Sequence, residues 1–367
     1  MTIKVGVLGA GNIATSRHIP AFQRHEDTRV VTVYDRNDDR TEAAAAEYDL
    51  FAADGPEAVY RQSDLVSICT PPSTHLELAT DAMRAGCHVL CEKPMAMTER
   101  EAEEMISVSE AEDRVLSVVH SFLYKKSIRK VDRLIDSGEL GTVLRTYMLK
   151  PESTEKRAKE YLMRTDLPGD ESDKQWKLYR LFWDEAAHLM YLTRNVLGDI
   201  TLSRATVDAS PVADYAAIRA NFSNDDGAEG NVVMLLDAPI SEWWFVVIGD
   251  QGIALVDLYR NYTMHFDREP DHSATRVLRV LVRGLSQAGF GSFRTGLNLI
   301  KERKLHGYRI PDAGFSTQID NVIQAIRTGS GLPVPPTEDR KAIEAMEAVV
   351  EATPMTDGRS IEADRSV

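Results

Sequence analysis

The chain has 367 residues, 43% of them hydrophobic, and a formal net charge of −14 from 57 acidic and 43 basic side chains. That length exceeds one ordinary core, so two domains are expected, and the apolar fraction argues against wholesale disorder. The acidic balance argues against general nucleic-acid binding, which needs a basic surface, and no stretch approaches the roughly 20 uninterrupted apolar residues of a membrane span.

Arginine (30) outnumbers lysine (13). An acidic, lysine-poor surface suits a high-salt cytoplasm, where dense charge keeps a protein in solution; an ordinary acidic cytosolic enzyme fits the same numbers. The opening MTIKVGVLGAGN has one lysine and then glycines, so no signal peptide is expected and a cytoplasmic location is. Three cysteines, Cys69, Cys87 and Cys91, fit reduced thiols. Cys87 and Cys91 flank the apolar run HVLC, so buried core thiols are expected and a metal is not, there being no second ligand cluster.

In chain order, residues 3–9 read as a buried strand ending in glycine. A helix is predicted over about 13–25, a strand over 30–34 ending at Asp35, and an alanine-rich helix over 41–47. Strands follow at 65–69 and 89–91, with a helix over 74–86 between them that stops at Gly86, and a last strand at 115–119. This alternation predicts right-handed crossovers and a doubly wound parallel sheet, a Rossmann domain spanning residues 1–121. A helix at 127–137 then ends at Gly138. Strand-like runs follow near 143–149, 203–207, 215–222, 230–236, 244–248 and 253–257, with a hairpin signal at Ser223–Gly227. The rest of the chain, 122–367, is therefore predicted to be an α+β domain with a large mixed or antiparallel sheet, whose C-terminal helix near 338–352 could pack back on the first domain. The charged segment 152–175 reads as a loop, either a lid or a solvated excursion.

Gly9-Ala10-Gly11-Asn12-Ile13-Ala14 is a G-x-G-x-x-A sequence between the first strand and the first helix. Gly9 permits the tight turn, Gly11 presents no side chain to a pyrophosphate, and Ala14 allows close helix–strand packing. The phosphates would sit among the free N–H groups of a helix N-terminus. Asp35, 21 residues after Ala14, is placed to accept hydrogen bonds from a ribose. Its charge favours NAD, while Arg36 next to it could pair with the 2′-phosphate of NADP.

Glu92-Lys93-Pro94 follows the strand HVLC, and Thr70, Pro71 and His75 follow the preceding strand, at the carboxyl edge where such sheets bind ligands. With the glycine loop, these motifs resemble the family named after glucose–fructose oxidoreductase, inositol dehydrogenase and a rhizopine-catabolism protein (Gfo/Idh/MocA). The resemblance continues through Asp184-Glu185-Ala186-Ala187-His188, Ser137–Gly141, Leu197-Gly198 and Leu332-Pro333-Val334. It implies a catalytic Lys93 beside a Lys-Pro peptide that is commonly cis, and an Asp-x-x-x-His motif opening a helix. It further implies that Gly9, Gly11, Asn12, Ile13, Asp35, Arg36, Thr70, Pro71, His75, Glu92 and Lys93 face the dinucleotide, and that a sheet-mediated homo-oligomer, dimer or tetramer, forms.

The chemistry is coherent on its own terms. Asp184 and His188 at i and i+4 share a helix face. Oxidation of a secondary alcohol needs a base, which His188 suits by its ordinary pKa. Lys93 would then stabilise the negative charge on the substrate oxygen, or itself be the base with a lowered pKa. Two segments depart from the family: Leu181-Phe182-Trp183 where glycines are usual, and His120–Tyr124 where an arginine often precedes an aromatic. Both border the expected pocket, making His120, Tyr124 and Trp176 candidate substrate residues, with core packing the alternative for the aromatics. The predicted substrate is a sugar, cyclic polyol or nucleotide-linked sugar. Two rivals are a dinucleotide-binding regulator without catalysis and an NAD-retaining hydrolase or lyase. Between Arg276 and Arg309 eight basic residues face one acid, Glu302. This basic island could meet an anionic substrate or, failing that, an anionic membrane surface.

Overall fold

The structure, a computed structural model, describes residues 2–153, 174–208, 217–268 and 313–353. The basic segment 276–309 lies outside these residues, as do residues 154–173 of the charged segment and the side chains of Trp176 and Asp184. The chain divides into two compact units. One comprises Met1–Tyr124 with Pro311–Glu344, the other Lys125–Ile310 with Ala345–Val367.

In the first unit six strands run β1 (Ile3–Leu8), β2 (Thr28–Tyr34), β3 (Phe51–Ala52), β4 (Leu65–Ile68), β5 (His88–Cys91) and β6 (Leu116–Val118), in the order β3-β2-β1-β4-β5-β6. All their pairings are parallel. Buried on both faces, such strands are near-continuous apolar runs, and β4 is buried at all four positions. The order reverses between β1 and β4, which is the switch point where doubly wound folds hold ligands. The helices between strands are α1 (Ile19–Arg24), α2 (Asp38–Tyr48), α3 (Pro56–Tyr60), α4 (His75–Arg84) and α5 (Glu99–Ala111). Asn37 and Thr98 start α2 and α5 by accepting the N–H of Arg40 and Glu101, both at 3.1 Å. The helix expected over 13–25 opens as a π-turn at Ala14–His18 before continuing as α1.

The sheet's core also takes a partner from far along the chain. In the helix Ala313–Thr328, Phe315, Ile319, Val322 and Ile323 join Val5, Val7, Phe22, Val33 and Leu90 in one cluster. These four residues at i, i+4, i+7 and i+8 form the apolar stripe of a core-facing helix.

The second unit is built on seven strands: β7 (Val143–Ser153), β8 (Thr201–Asp208), β9 (Ala217–Ser223), β10 (Glu229–Ala238), β11 (Trp244–Gly249), β12 (Gly252–Asp257) and β13 (Tyr262–Asp267). Their order is β13-β12-β11-β7-β10-β9-β8. β7 and β10 pair in parallel and the other pairings are antiparallel, so the sheet is mixed, as expected. The hairpin between β9 and β10 turns at Asn224–Gly227, where Gly227 adopts φ +82°. Helix α6 (Lys126–Asp136) packs on β12 and β13, and α7 (Lys174–Leu197) on β7 and β10. α7 begins ten residues before Asp184, so the Asp-x-x-x-His motif lies inside a helix rather than opening one. Lys174–Trp183 holds no glycine or proline, so nothing stops the helix from propagating upstream. Phe182 and Trp183, which replace the family's glycines, are buried in the core. The last two helices are α8 (Ala313–Thr328) and α9 (Pro336–Ala352). Among the described residues no helix is long and apolar enough to cross a membrane.

Candidate active site

The glycine turn follows β1 directly. Gly9 has φ +89°, and a Cβ there would stand 2.8 Å from the Cys69 carbonyl oxygen, so only glycine fits against the end of β4. Gly11 is different: a Cβ on it would meet nothing within 4 Å. The protein does not require glycine at position 11, whereas a pyrophosphate lying there would. Asn12 is exposed and Ile13 half-buried where the helix begins, leaving the first-turn N–H groups available to an anion. Asp35 closes the turn from the end of β2: its carboxylate accepts the N–H of Ala10 at 2.8 Å and of Asn37 at 2.9 Å. Arg36 beside it is exposed. These residues fit a dinucleotide.

Two strands along the same edge, β5 delivers Glu92, half-buried Lys93 and a cis Lys93–Pro94 peptide. One Glu92 oxygen accepts the Lys93 N–H at 3.1 Å; the other stands 3.0 Å from His18 Nε2. His18 is fully buried, and its Nδ1 lies 2.7 Å from Ser67 Oγ. Burial opposes a charge on His18, but the Cys69 and Glu92 side chains override it and push its pKa up to about 10. Burial likewise pulls Glu92 upward, and the hydrogen bond and charge of His18, with Lys93, more than reverse that. The two therefore form a buried ion pair under the Lys93 turn.

Other residues read as site candidates have main-chain or core partners. His75 is fully buried, with Nε2 2.8 Å from the Thr70 carbonyl and Nδ1 3.0 Å from that of Pro94. Burial lowers its pKa against the pull of those carbonyls, and a neutral ring, with a single N–H, donates to only one of the two at a time. Thr70 and Pro71 are half-buried, and Thr70 accepts a hydrogen bond from Thr74 at 2.8 Å. His120 is 1% exposed; its Nε2 donates to Asp339 of α9 at 2.8 Å and its N–H to Gln318 of α8 at 2.9 Å. The described contacts thus hold His120 inside the first unit. Tyr124, at the end of the turn Ser121–Tyr124, is half-buried. The cysteines are all buried and unbridged. Burial lifts Cys87 to about 11 and Cys91 well above the usual thiol range.

In the second unit His188 is half-buried on α7, its Nδ1 2.7 Å from the Tyr191 hydroxyl and its ring 5.5 Å from that of Trp243. Trp243 leads to a cluster that the sequence did not announce. Lys150, on the buried face of β7, pairs with Glu152, stands 3.6 Å from Glu185, and donates to the Tyr259 hydroxyl at 3.3 Å. Its ammonium lies 5.2 Å from the centre of the Trp243 ring, within cation–π range. Burial disfavours that ammonium, but Glu185, Tyr259 and Glu152 together raise its pKa well above the ordinary value. The available signal was two charged residues at alternate positions, 150 and 152, directly after the apolar pair Met148-Leu149. His18 and Asp339 carried no such signal.

The family model described as an oxidoreductase family with an NAD-binding Rossmann fold matches residues 3–120. The chain is 31% identical over 144 residues to D-glucoside 3-dehydrogenase of Escherichia coli, covering 38% of this chain and 41% of that protein. It is 29% identical over 172 residues to dTDP-3,4-didehydro-2,6-dideoxy-alpha-D-glucose 3-reductase of Streptomyces violaceoruber, covering 46% and 49%. It therefore spans less than half the length of these two relatives. In fold it is similar to the WlbA dehydrogenase of Bordetella pertussis, solved with NADH and UDP-GlcNAcA: TM-score 0.74, 19% identity, 100% of this chain and 99% of that one. Residues 3–120 of this chain are thus similar to the NAD-binding Rossmann domain of the Gfo/Idh/MocA oxidoreductases.

Proposed function

We propose that this chain is an NAD(P)-dependent oxidoreductase that interconverts a secondary alcohol and a ketone on a sugar. The third carbon of a free or nucleotide-linked hexose is the reacting position, in line with the 3-dehydrogenase and 3-reductase it resembles. One observation carries the reading: the glycine turn after β1 and the Lys93 turn after β5 share the carboxyl edge of one sheet, with only β4 between their strands. A bound nicotinamide dinucleotide supplies the two-electron acceptor or donor.

The chain's own residues do the rest. Lys93 binds the substrate oxygen and stabilises its developing negative charge. His188, whose Nδ1 is engaged by Tyr191, exchanges the hydroxyl proton at Nε2. Asp184 orients His188 or meets a substrate hydroxyl. Asp35 repels a 2′-phosphate, so NAD is preferred; Arg36 is the group that would receive that phosphate in NADP. The exposed Tyr147 and Ile253, on one face of the second sheet, support a homo-oligomer formed through that face. The buried, unbridged thiols support a reducing, cytoplasmic setting.

A panel of free, phosphorylated and nucleotide-linked hexoses, each with NAD and with NADP, tests this through the absorbance of the reduced nicotinamide. Turnover with a hexose derivative, faster with NAD, is expected. Dinucleotide binding without turnover of any sugar in either direction would refute it.

A further inference from the structure

Four residues around Lys93, Glu92 to Met95, are held from three directions by histidines that are at most 1% exposed. His18 holds the Glu92 carboxylate at 3.0 Å, and His75 stands 3.0 Å from the Pro94 carbonyl. The third hold is indirect. Asp339, fully buried on α9, accepts the Met95 N–H with one oxygen at 2.8 Å and His120 Nε2 with the other at 2.8 Å. His120 is itself anchored through its N–H to Gln318. Asp339 lies 244 residues from the main chain it holds.

A buried carboxylate is costly, and plain helix docking is served as well by apolar side chains. What an apolar side chain cannot do is accept two hydrogen bonds at once and thereby fix one backbone N–H. A lysine's reach depends on the backbone that carries it, since its long stem is flexible. Misplacing a catalytic group by about 1 Å can cost roughly 100-fold in rate.

We propose that Asp339 is a positioning residue for Lys93. By bridging Met95 and His120 it fixes the Glu92–Met95 turn, and with it the aim of the Lys93 ammonium. The proposal rests on the reading of Lys93 as a catalytic group. It assigns the C-terminal helix a part in the chemistry of the first unit that packing alone does not give it.

The test compares Asp339→Asn with Arg340→Ala on the full chain. Arg340, the next residue on α9, pairs with Glu99 and reports helix docking alone. Asp339→Asn keeps the size but turns an amide toward a donor. It is expected to lower kcat by about 10–100-fold with the dissociation constant for NADH unchanged. Trace acetylation read by peptide mass spectrometry should also show a several-fold change in Lys93 reactivity relative to the other lysines. Arg340→Ala should lower only the melting temperature. If Asp339→Asn does not fold, His120→Leu takes its place: it should slow turnover and alter Lys93 labelling, and His120→Gln, which restores a donor, should recover both. Wild-type kcat and Lys93 labelling in Asp339→Asn, with only a lower melting temperature, would overturn the proposal. The labelling arm reads the grip on Lys93 whether or not Lys93 proves catalytic. Failure of the functional reading would show instead as wild-type turnover in Lys93→Ala.

Discussion

The two units handle buried charge in opposite ways. In the first, Glu92 and Asp339 each accept a main-chain N–H of the turn that carries Lys93, and His18 and His120 hold those two carboxylates. In the second, Lys150, Glu152, Glu185 and Tyr259 bond mainly to one another, beneath Trp243 and within the same unit as His188. The first arrangement fixes where a backbone lies; the second fixes the charge state of a cluster. A site that must place one amine accurately needs the former. A site that must keep an ammonium in a nearly dry interior needs the latter.

The largest effect that could break this comparison is on stability. Lys150→Met removes the ammonium that pairs with buried Glu152 and should cost about 3–5 kcal/mol in denaturant unfolding. Adding Glu152→Gln should recover part of that loss, because the cluster's charges compensate one another. No recovery would mean that each side chain is held by something other than its neighbours.

The two glycines of the first unit should separate next. Gly9→Ala must strain a backbone at φ +89° and press on the Cys69 carbonyl, for a loss of about 1–3 kcal/mol. A Cβ at Gly11 meets nothing within 4 Å, so the melting temperature of Gly11→Ala should match wild type while NADH binding falls. A Gly11 variant that binds NADH normally would remove the dinucleotide from this turn.

A third test is a pH dependence. The folded pKa of His18, about 10, lies above its ordinary 6.5, so its contribution to stability is complete below pH 6.5 and fades as pH rises toward 10. Glu92 is shifted the other way, so its contribution is complete above its ordinary 4.5 and fades in acid. Wild type should therefore lose more stability than His18→Gln between pH 7 and 10 by chemical denaturation. Parallel curves would show that the pair is not ionised in the folded state.

The same contrast explains what the sequence disclosed. The glycine turn and Glu92-Lys93-Pro94 are contiguous segments at strand ends; spacing exposed the first, and the resemblance to Gfo/Idh/MocA proteins singled out the second. The parallel and mixed sheets were legible because hydrophobic runs alternate with helical stretches in the first half and with turn signals such as Asn224–Gly227 in the second. Residues joined only by folding were not. His18 meets Glu92 across 74 positions and Asp339 meets Met95 across 244. Lys150 finds Tyr259 across 109. His75 and His120 were noticed for their chemistry, yet burial turns both toward the protein. The short β3 and the edge strand β13 escaped because two residues, or a run as polar as Tyr262–Asp267, give no periodic signal.

The central claim is that Lys93 acts on the substrate while the glycine turn holds the dinucleotide. The direct measurement is a single-turnover assay of Lys93→Ala beside a titration of the same variant with NADH. The account predicts NADH affinity equal to wild type and a rate of reduced-nicotinamide formation lower by roughly 10²–10⁴-fold, the usual weight of a positioned acid–base group. A variant that binds NADH and turns over at the wild-type rate would contradict it.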